Sequence, residues 1–559
     1  MSRKRSALTI AITIILSLLV VAEGRAQAPL AVDPSNPQYF NYNGKFKYLV
    51  GMSGDYLPHV NQTQFPCGLN NFASDCVGKL QAQGLNKIRL WLSLNQSAGV
   101  LFNHRDASGN IVPYDHEQPF VYKGVIGGVP TWDLDNYDAG FWNNVRTVLQ
   151  TCNNANPPIF VEVTLFDAWQ GASAQTGPWY HHIQTLNNQP TLFGLTQYVN
   201  SFDNNTNPTG DTDPARAFLR QEQVKFVQKA VATLNDFNNF YWEIANEPDL
   251  NGVADITALT NWHNYIADQI YTAEAPSGRH HLIGVNYTIR GSINNAAADT
   301  LHHIDIISSH YAKITGAAGG VQETARNGAI KFIRNYNGGT SPVQSNKVFG
   351  FTEDKATGVT PFVAPEGARA GAWEFMLNEG GTLDHLRYDA NTSGNYNTLL
   401  VQYGFLSRFV GSLPLRFVRR ATSATSPDWI FSGLPAYPTP STTTTNKFWA
   451  ALQKDGDTYA LYVHNSKTAG IEFDYYVPTI VSQGYSESLT LQNLGAAGCY
   501  QYNWYYPSGV NVDATGVHSL AANVIPGGSG MFTWPGSGTV LVSSPRYDFD
   551  IALVVKRCP

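Results

Sequence analysis

Past the first five residues, no run rich in lysine or arginine appears anywhere in the 559-residue chain, and charged side chains make up only 14% of it. Nucleic-acid binding needs a basic footprint, so that class of partner is excluded. No apolar stretch after the first thirty residues is long enough to span a bilayer. No glycine-rich phosphate loop follows the first predicted strand, which removes the usual nucleotide-binding open sheet. Cysteines number five and show no metal-type spacing. The pairs His181-His182, His280-His281 and His302-His303 lack the i, i+4 helical spacing of a zinc motif and read as surface or cap residues. Neither a metal nor a cofactor is expected.

The amino terminus has the layout of an export signal. Arg3-Lys4-Arg5 precede an apolar stretch from about Ala7 to Ala22, and small residues follow at Gly24, Ala26 and Ala28. That apolar stretch is too short and wrongly flanked for a membrane anchor. Cleavage after Ala26 is expected, because cutting after Ala28 would leave Pro29 at the new terminus. Removing residues 1–26 takes away four positive charges and one negative, moving the formal net charge from −6 to −9. A secreted protein, extracellular or periplasmic, is expected, monomeric and free of the membrane after cleavage. Its cysteines should mostly pair. Cys67 and Cys76 flank a short loop, Cys499 and Cys558 could staple a last strand, and Cys152 is left as a small buried apolar group.

What the chain does hold is a repeating alternation. Short β-branched and aromatic runs predict strands at Lys47–Ser53, Lys87–Ser93, Ile159–Phe166, Phe240–Asn246, Leu282–Tyr287, Ile304–His310, Lys347–Glu353 and Thr382–Tyr388. Helical patterns fall between them at Phe72–Gln83, Ala139–Asn153, Pro214–Asn235, Ile256–Ala273 and Glu366–Glu379. Eight such repeats predict an α/β protein with a closed (β/α)8 barrel, a TIM barrel, over residues 27–420. Polar insertions at about 95–138 and 167–213 follow the second and third strands, where they would wall the cleft. They carry Trp132, Trp169, Trp179 and Tyr180, which either meet substrate or hold the loops together. A Ser/Thr/Pro-rich linker is expected at 421–445. Beyond it, short alternating strands without helices predict a β-sandwich over 446–559.

Three strand ends carry the chemistry. The fourth strand stops at Asn246-Glu247-Pro248, where proline removes a backbone donor and pushes Glu247 away from helical geometry. The seventh ends at Glu353-Asp354, and the sixth at His310-Tyr311. Strands four and seven face each other across an eight-stranded mouth, so two carboxyl groups can flank one bond there. Glu162 and Glu243 sit inside strands and read as inward groups with partners of their own.

This pattern resembles clan A of the glycoside hydrolases, the "4/7" retaining superfamily, in the Asn-Glu-Pro of strand four and the Glu of strand seven. Arg89, in Asn86-Lys-Ile-Arg-Leu-Trp, matches the clan's second-strand arginine, and His310-Tyr311 matches its sixth-strand region. The two are adjacent here, whereas several families separate them by one residue, which leaves open which side chain points inward. The helix from Arg369 to Gly381, the opening Tyr42-Asn-Gly-Lys and the tail Asn503-Trp-Tyr-Tyr-Pro-Ser-Gly are similar to proteins that pair this barrel with a C-terminal collagen-binding-type β-sandwich.

The resemblance implies a glycosidase acting on a polysaccharide or oligosaccharide by double displacement. Glu247 would be the general acid/base and Glu353 the nucleophile, with Asp354 its rival. Asn246 would hold a substrate hydroxyl. Arg89 would keep Glu353 ionised, and Tyr311 or His310 would orient it. Two alternatives share these residues: a carbohydrate-binding or adhesion protein on a retired barrel, and a transglycosylase using the same intermediate. The sandwich reads as a brace for the barrel.

Overall fold

The structure is a computed structural model. It describes residues 28–559 apart from 55, 61–71, 102, 127, 168–175, 185–213, 249–255, 288–300, 311–329, 331–332, 334–346, 355–364, 386–393, 421–429, 439–440, 442, 455–456, 469–475, 482–483, 509–510, 513–517 and 520–523. Eight parallel strands close into a barrel in chain order: Leu49–Ser53, Lys87–Trp91, Phe160–Asp167, Phe240–Asn246, Ile283–Tyr287, Ile306–Ser309, Val348–Asp354 and Thr382–His385. The eighth pairs back onto the first through Thr382↔Leu49 to His385↔Met52. All eight coincide with the strands read from the sequence, as the predicted (β/α)8 architecture requires.

Local chemistry explains how the helices begin and end. Asp138 accepts the backbone N–H of Phe141 at 2.8 Å and so caps the helix Ala139–Asn154. The segment before the second strand is a π-helical turn, Phe72–Val77, running into the helix Gly78–Gln83. Gly84 closes that helix at φ +77, a left-handed cap that costs a residue without Cβ nothing. Trp262, Phe226 and Phe166 lie in one apolar layer between helices and strands, fully buried.

The barrel interior departs from the usual stack of aliphatic layers. Lys87 reaches Glu162 and Asp384 at 2.5 Å each, and Tyr241 donates to Glu162 at 2.6 Å, all out of contact with solvent. Arg89 pairs with Glu243 in the next layer. Burial raises the Glu162 carboxyl, Lys87 pulls it back, and the nearby Glu243 and Asp384 push it up again. The net direction is upward. Three carboxyls against two cations leave one surplus negative charge, in line with that direction. Room for this layer depends on Gly51, where a Cβ would stand 1.9 Å from the Lys87 carbonyl oxygen.

The insertion after the second strand forms a hairpin, Phe120–Ile126 with Val129–Tyr137. Its Trp132, and Trp179 from the next insertion, are buried. Trp179 packs among Phe120, Phe166 and Phe226 at 5.4–5.7 Å, so it holds the loops onto the barrel. Trp169 lies outside the described residues.

The C-terminal part is antiparallel. One sheet runs in the order Arg419–Arg420, Asn446–Lys454, Thr458–Thr468, Asp550–Arg557, Gly498–Tyr505 and Val524–Trp534, with Tyr476–Pro478 paired onto Thr458–Thr468. A second sheet holds Phe431–Ser432, Ser488–Leu491 and Val540–Ser543. Trp449, Trp504, Trp534 and Tyr459 fill the core between them. The Cys499–Cys558 disulfide ties the final strand to its neighbour, as expected, and Cys152 is free and buried. Cys76 is disulfide-bonded; Cys67, its expected partner, lies outside the described residues. Among the described residues, no helix is long and apolar enough to cross a membrane.

Helix Pro365–Met376 of the barrel also packs against the sandwich. Trp373 stacks on Tyr462 at 5.3 Å, and Arg369 grips Asp550 through Nε and Nη2 at 2.9 and 3.0 Å. Glu374 receives the hydroxyls of Tyr437 and Tyr476 and faces His464 at 3.2 Å. A buried arginine and a buried glutamate on one helix are thus both satisfied from the sandwich.

Candidate active site

The fourth barrel strand is buried on every residue from Phe240 to Asn246, as expected of a parallel strand covered on both faces. It ends because Pro248 cannot donate to the ladder. Between them Glu247 adopts φ +48, in the left-handed region that disfavours a side-chain-bearing residue by about 1–2 kcal/mol. Asn286 holds this turn in place. Its Oδ1 accepts the Glu247 N–H at 2.9 Å, and its Nδ2 donates to the Ala245 carbonyl and to Glu243 Oε1, both at 2.6 Å.

His310 follows the sixth strand directly and donates its backbone N–H to the Tyr287 carbonyl at 3.1 Å. Its Nδ1 lies 3.0 Å from Glu247 Oε1, with neither side chain exposed. The sequence reading placed His310 or Tyr311 against Glu353. Among the described residues His310 meets Glu247, whose left-handed turn brings that carboxyl to the sixth strand; the Glu353 side chain lies outside them. Tyr311 lies outside the described residues.

Arg89 has partners that the sequence reading did not name. Its Nε and Nη2 reach Glu243 Oε2 at 3.0 and 2.5 Å, and Nη2 also donates to Asn246 Oδ1 at 2.9 Å. Glu243 further accepts from Thr164 Oγ1 at 2.5 Å. Asn246 then uses its amide N–H on Asp167 Oδ1 at 3.2 Å. Arg89 therefore fixes the carbonyl end of Asn246 and Asp167 fixes the amide end, so the side chain has one orientation. Glu243 is the inward group the sequence suggested, and it neutralises Arg89 inside the barrel.

Glu353 is described at the level of the backbone. It lies in the seventh strand between Phe351 and Asp354, where the register against the eighth strand shifts. Such bulges recur beside active sites. The lip above the second strand is aromatic, with Trp91 edge-on to Tyr56 at 5.5 Å.

Sequence reasoning passed over Asn286, Asp167 and Thr164. Asn286 had a readable signal as a polar residue near the carboxyl end of the short buried strand Ile283–Tyr287, and Asp167 as the last residue of its strand.

The fold, a closed eight-stranded parallel barrel with a C-terminal β-sandwich, is similar to that of solved glycoside hydrolase structures. One structure described as a glycoside hydrolase superimposes with a TM-score of 0.53 at 12% identity, covering 95% of this chain and 97% of the other. A glycoside hydrolase family 5 structure from Bacteroides vulgatus ATCC 8482 matches with a TM-score of 0.53 at 10% identity, covering 95% and 93%. At such identities the likeness is one of fold. No protein-family model matches the chain, and neither does any curated protein.

Proposed function

We propose that the chain is a secreted, monomeric glycoside hydrolase that cleaves a polysaccharide or oligosaccharide with retention of configuration. The observation that carries this reading is Glu247 at the tip of the fourth strand, buried, turned left-handed and paired with His310. An exposed structural carboxylate needs none of these features.

In this reading Glu247 gives a proton to the departing glycosidic oxygen while Glu353 attacks the sugar carbon, forming a glycosyl ester. Glu247 then takes a proton from water, which displaces Glu353 and restores the starting state. Both steps invert, so the product retains the substrate's configuration. Asn246, held by Arg89 and Asp167, presents its amide to a hydroxyl beside the reacting carbon. His310 positions Glu247, Tyr311 is the remaining candidate to orient Glu353, and Trp169 is a candidate to meet substrate. Arg89 acts by orienting Asn246.

The test uses the full chain on a panel of polysaccharides. Glu247→Gln and Glu353→Gln should each abolish turnover with the fold intact by circular dichroism. Azide should rescue Glu353→Ala and give a glycosyl azide of inverted configuration. Full activity of both glutamine variants on a cleaved glycan would overturn the assignment.

A further inference from the structure

Far from Glu247, the outer wall of the barrel carries a group of side chains that the proposed reaction does not use. Asp268 lies on the helix Ile256–Glu274, and His302 and His303 lie just before the sixth strand. His303 is three residues from Ile306, where that strand begins, and His310 follows its other end, so the group sits toward the opposite end of the barrel from the catalytic lip. His302 Nδ1 is 3.1 Å from Asp268 Oδ1, and His303 Nε2 is 3.7 Å from the same oxygen. One donor atom from each residue lies within 4.8 Å of the other two.

We propose that Asp268, His302 and His303 form a binding site for a divalent transition-metal ion of the zinc class. Two imidazoles and a carboxylate are the donor set that zinc, copper and nickel favour over magnesium or calcium. Donors bound to tetrahedral zinc at about 2.0–2.1 Å stand roughly 3.3 Å from one another. The two distances to Asp268 bracket that value, so side-chain rotations alone bring three donors onto one ion. Water fills the remaining position, since the side chains are 38–55% exposed.

Two adjacent histidines rarely aim at one point, and the backbone explains why these do. His303 takes φ +57, and its ring stands edge-on to that of His302 with centroids 5.5 Å apart. The His302 N–H is held by Asn264 Oδ1 at 3.1 Å. The His303 ring stacks on Tyr271 at 4.1 Å, and Tyr271 is stacked on its other side by His280, also at 4.1 Å. Asn264, Asp268 and Tyr271 are spaced i, i+4, i+7, so one helix face supplies the anchor, the ligand and the platform. The sequence signal was invisible because the third donor comes from a helix more than thirty residues away.

Isothermal titration of ZnCl2 into the full chain, stripped with EDTA and desalted, tests the site at pH 7.5 in a non-coordinating buffer. A saturable one-to-one isotherm in the micromolar range is expected. Asp268→Asn, His302→Asn and His303→Asn should each weaken it at least about tenfold, as loss of a ligand does. His116→Asn, which removes a second His–Asp pair with no third donor among the described residues, should leave the affinity unchanged. In the Cu2+ complex, electron paramagnetic resonance should show two coordinated nitrogens, falling to one in His302→Asn. Absence of saturable binding, or a His302→Asn/His303→Asn double variant that binds like the parent, would overturn the proposal. Because the side chains are exposed, the variants should fold, and circular dichroism checks that they do.

Discussion

His310 Nδ1 stands 3.0 Å from Glu247 Oε1 with both side chains shut off from solvent, so the imidazole and the carboxyl form one unit. Removing the ring as His310→Ala frees a carboxyl whose placement the proposed proton transfer requires. The expected result on a glycan is a kcat loss of about 10²-fold, at the low end of what general acid/base groups contribute, with KM little altered. An aryl glycoside with an acidic phenol as leaving group needs little protonation, so its first step should suffer far less. Equal losses on the two substrates would mean that His310 only supports the fold.

Arg89 predicts a stability effect as well as a kinetic one. Its guanidinium is fully buried against Glu243, and Arg89→Met would strand that carboxylate inside the barrel. Breaking a buried pair from one side costs about 3–5 kcal/mol. Adding Glu243→Gln removes the stranded charge, so the double variant should be more stable than Arg89→Met alone, a coupling that denaturant unfolding can read. Additive effects would show that Glu243 depends mainly on Asn286 and Thr164.

How far the sequence carried is clearest at these residues. Pro248 punctuates the fourth strand, so the position of Glu247 was legible, and the alternating runs placed all eight strands. The left-handed turn at Glu247 was not legible, because the amide that captures its N–H comes from Asn286 on the next strand. That turn is also why His310 meets Glu247, a pairing the sequence reading did not name. Arg89 was found by its motif, but its partners depend on which strand residues face inward at the same height. Register alone decides that.

Histidine burial sets a sign for the pH dependence. His263 on the helix Ile256–Glu274 is fully buried, and loss of solvation lowers it to about 3 from 6.5. The folded state therefore refuses a proton that the unfolded chain accepts between those values. Its stabilising contribution is complete above about pH 6.5 and is lost as pH falls toward 3, at about 1.4 kcal/mol per pH unit. Burial raises the Asp305 carboxyl to about 6, which works in the opposite direction over part of the same range. His263→Gln should therefore flatten the acid side of the stability profile while leaving Asp305's opposing slope in place. Unfolding midpoints at pH 7 and pH 5 for both proteins give the comparison. An unchanged acid slope would place the sensitivity elsewhere, with buried His59 and His182, each lowered to about 4 by burial, next to be replaced.

The sandwich acts on the barrel through Asp550, which holds Arg369 by two hydrogen bonds and accepts from Tyr462 Oη at 3.0 Å. Arg369 also lies over the Phe549 ring, 4.8 Å from its centroid. Asp550→Ala leaves a buried guanidinium unpaired, at a cost of about 3–5 kcal/mol. If the sandwich braces the barrel, the parent melts in one calorimetric transition and Asp550→Ala splits it, the barrel now following its own curve. The contact helix Pro365–Met376 begins eleven residues after Asp354, at the strand end that carries Glu353, so the brace and the proposed nucleophile share one segment of chain. Loss of activity in Asp550→Ala should consequently begin below its first melting transition. A single unshifted transition would mean that the two parts are stable independently, and that the sandwich serves something other than support.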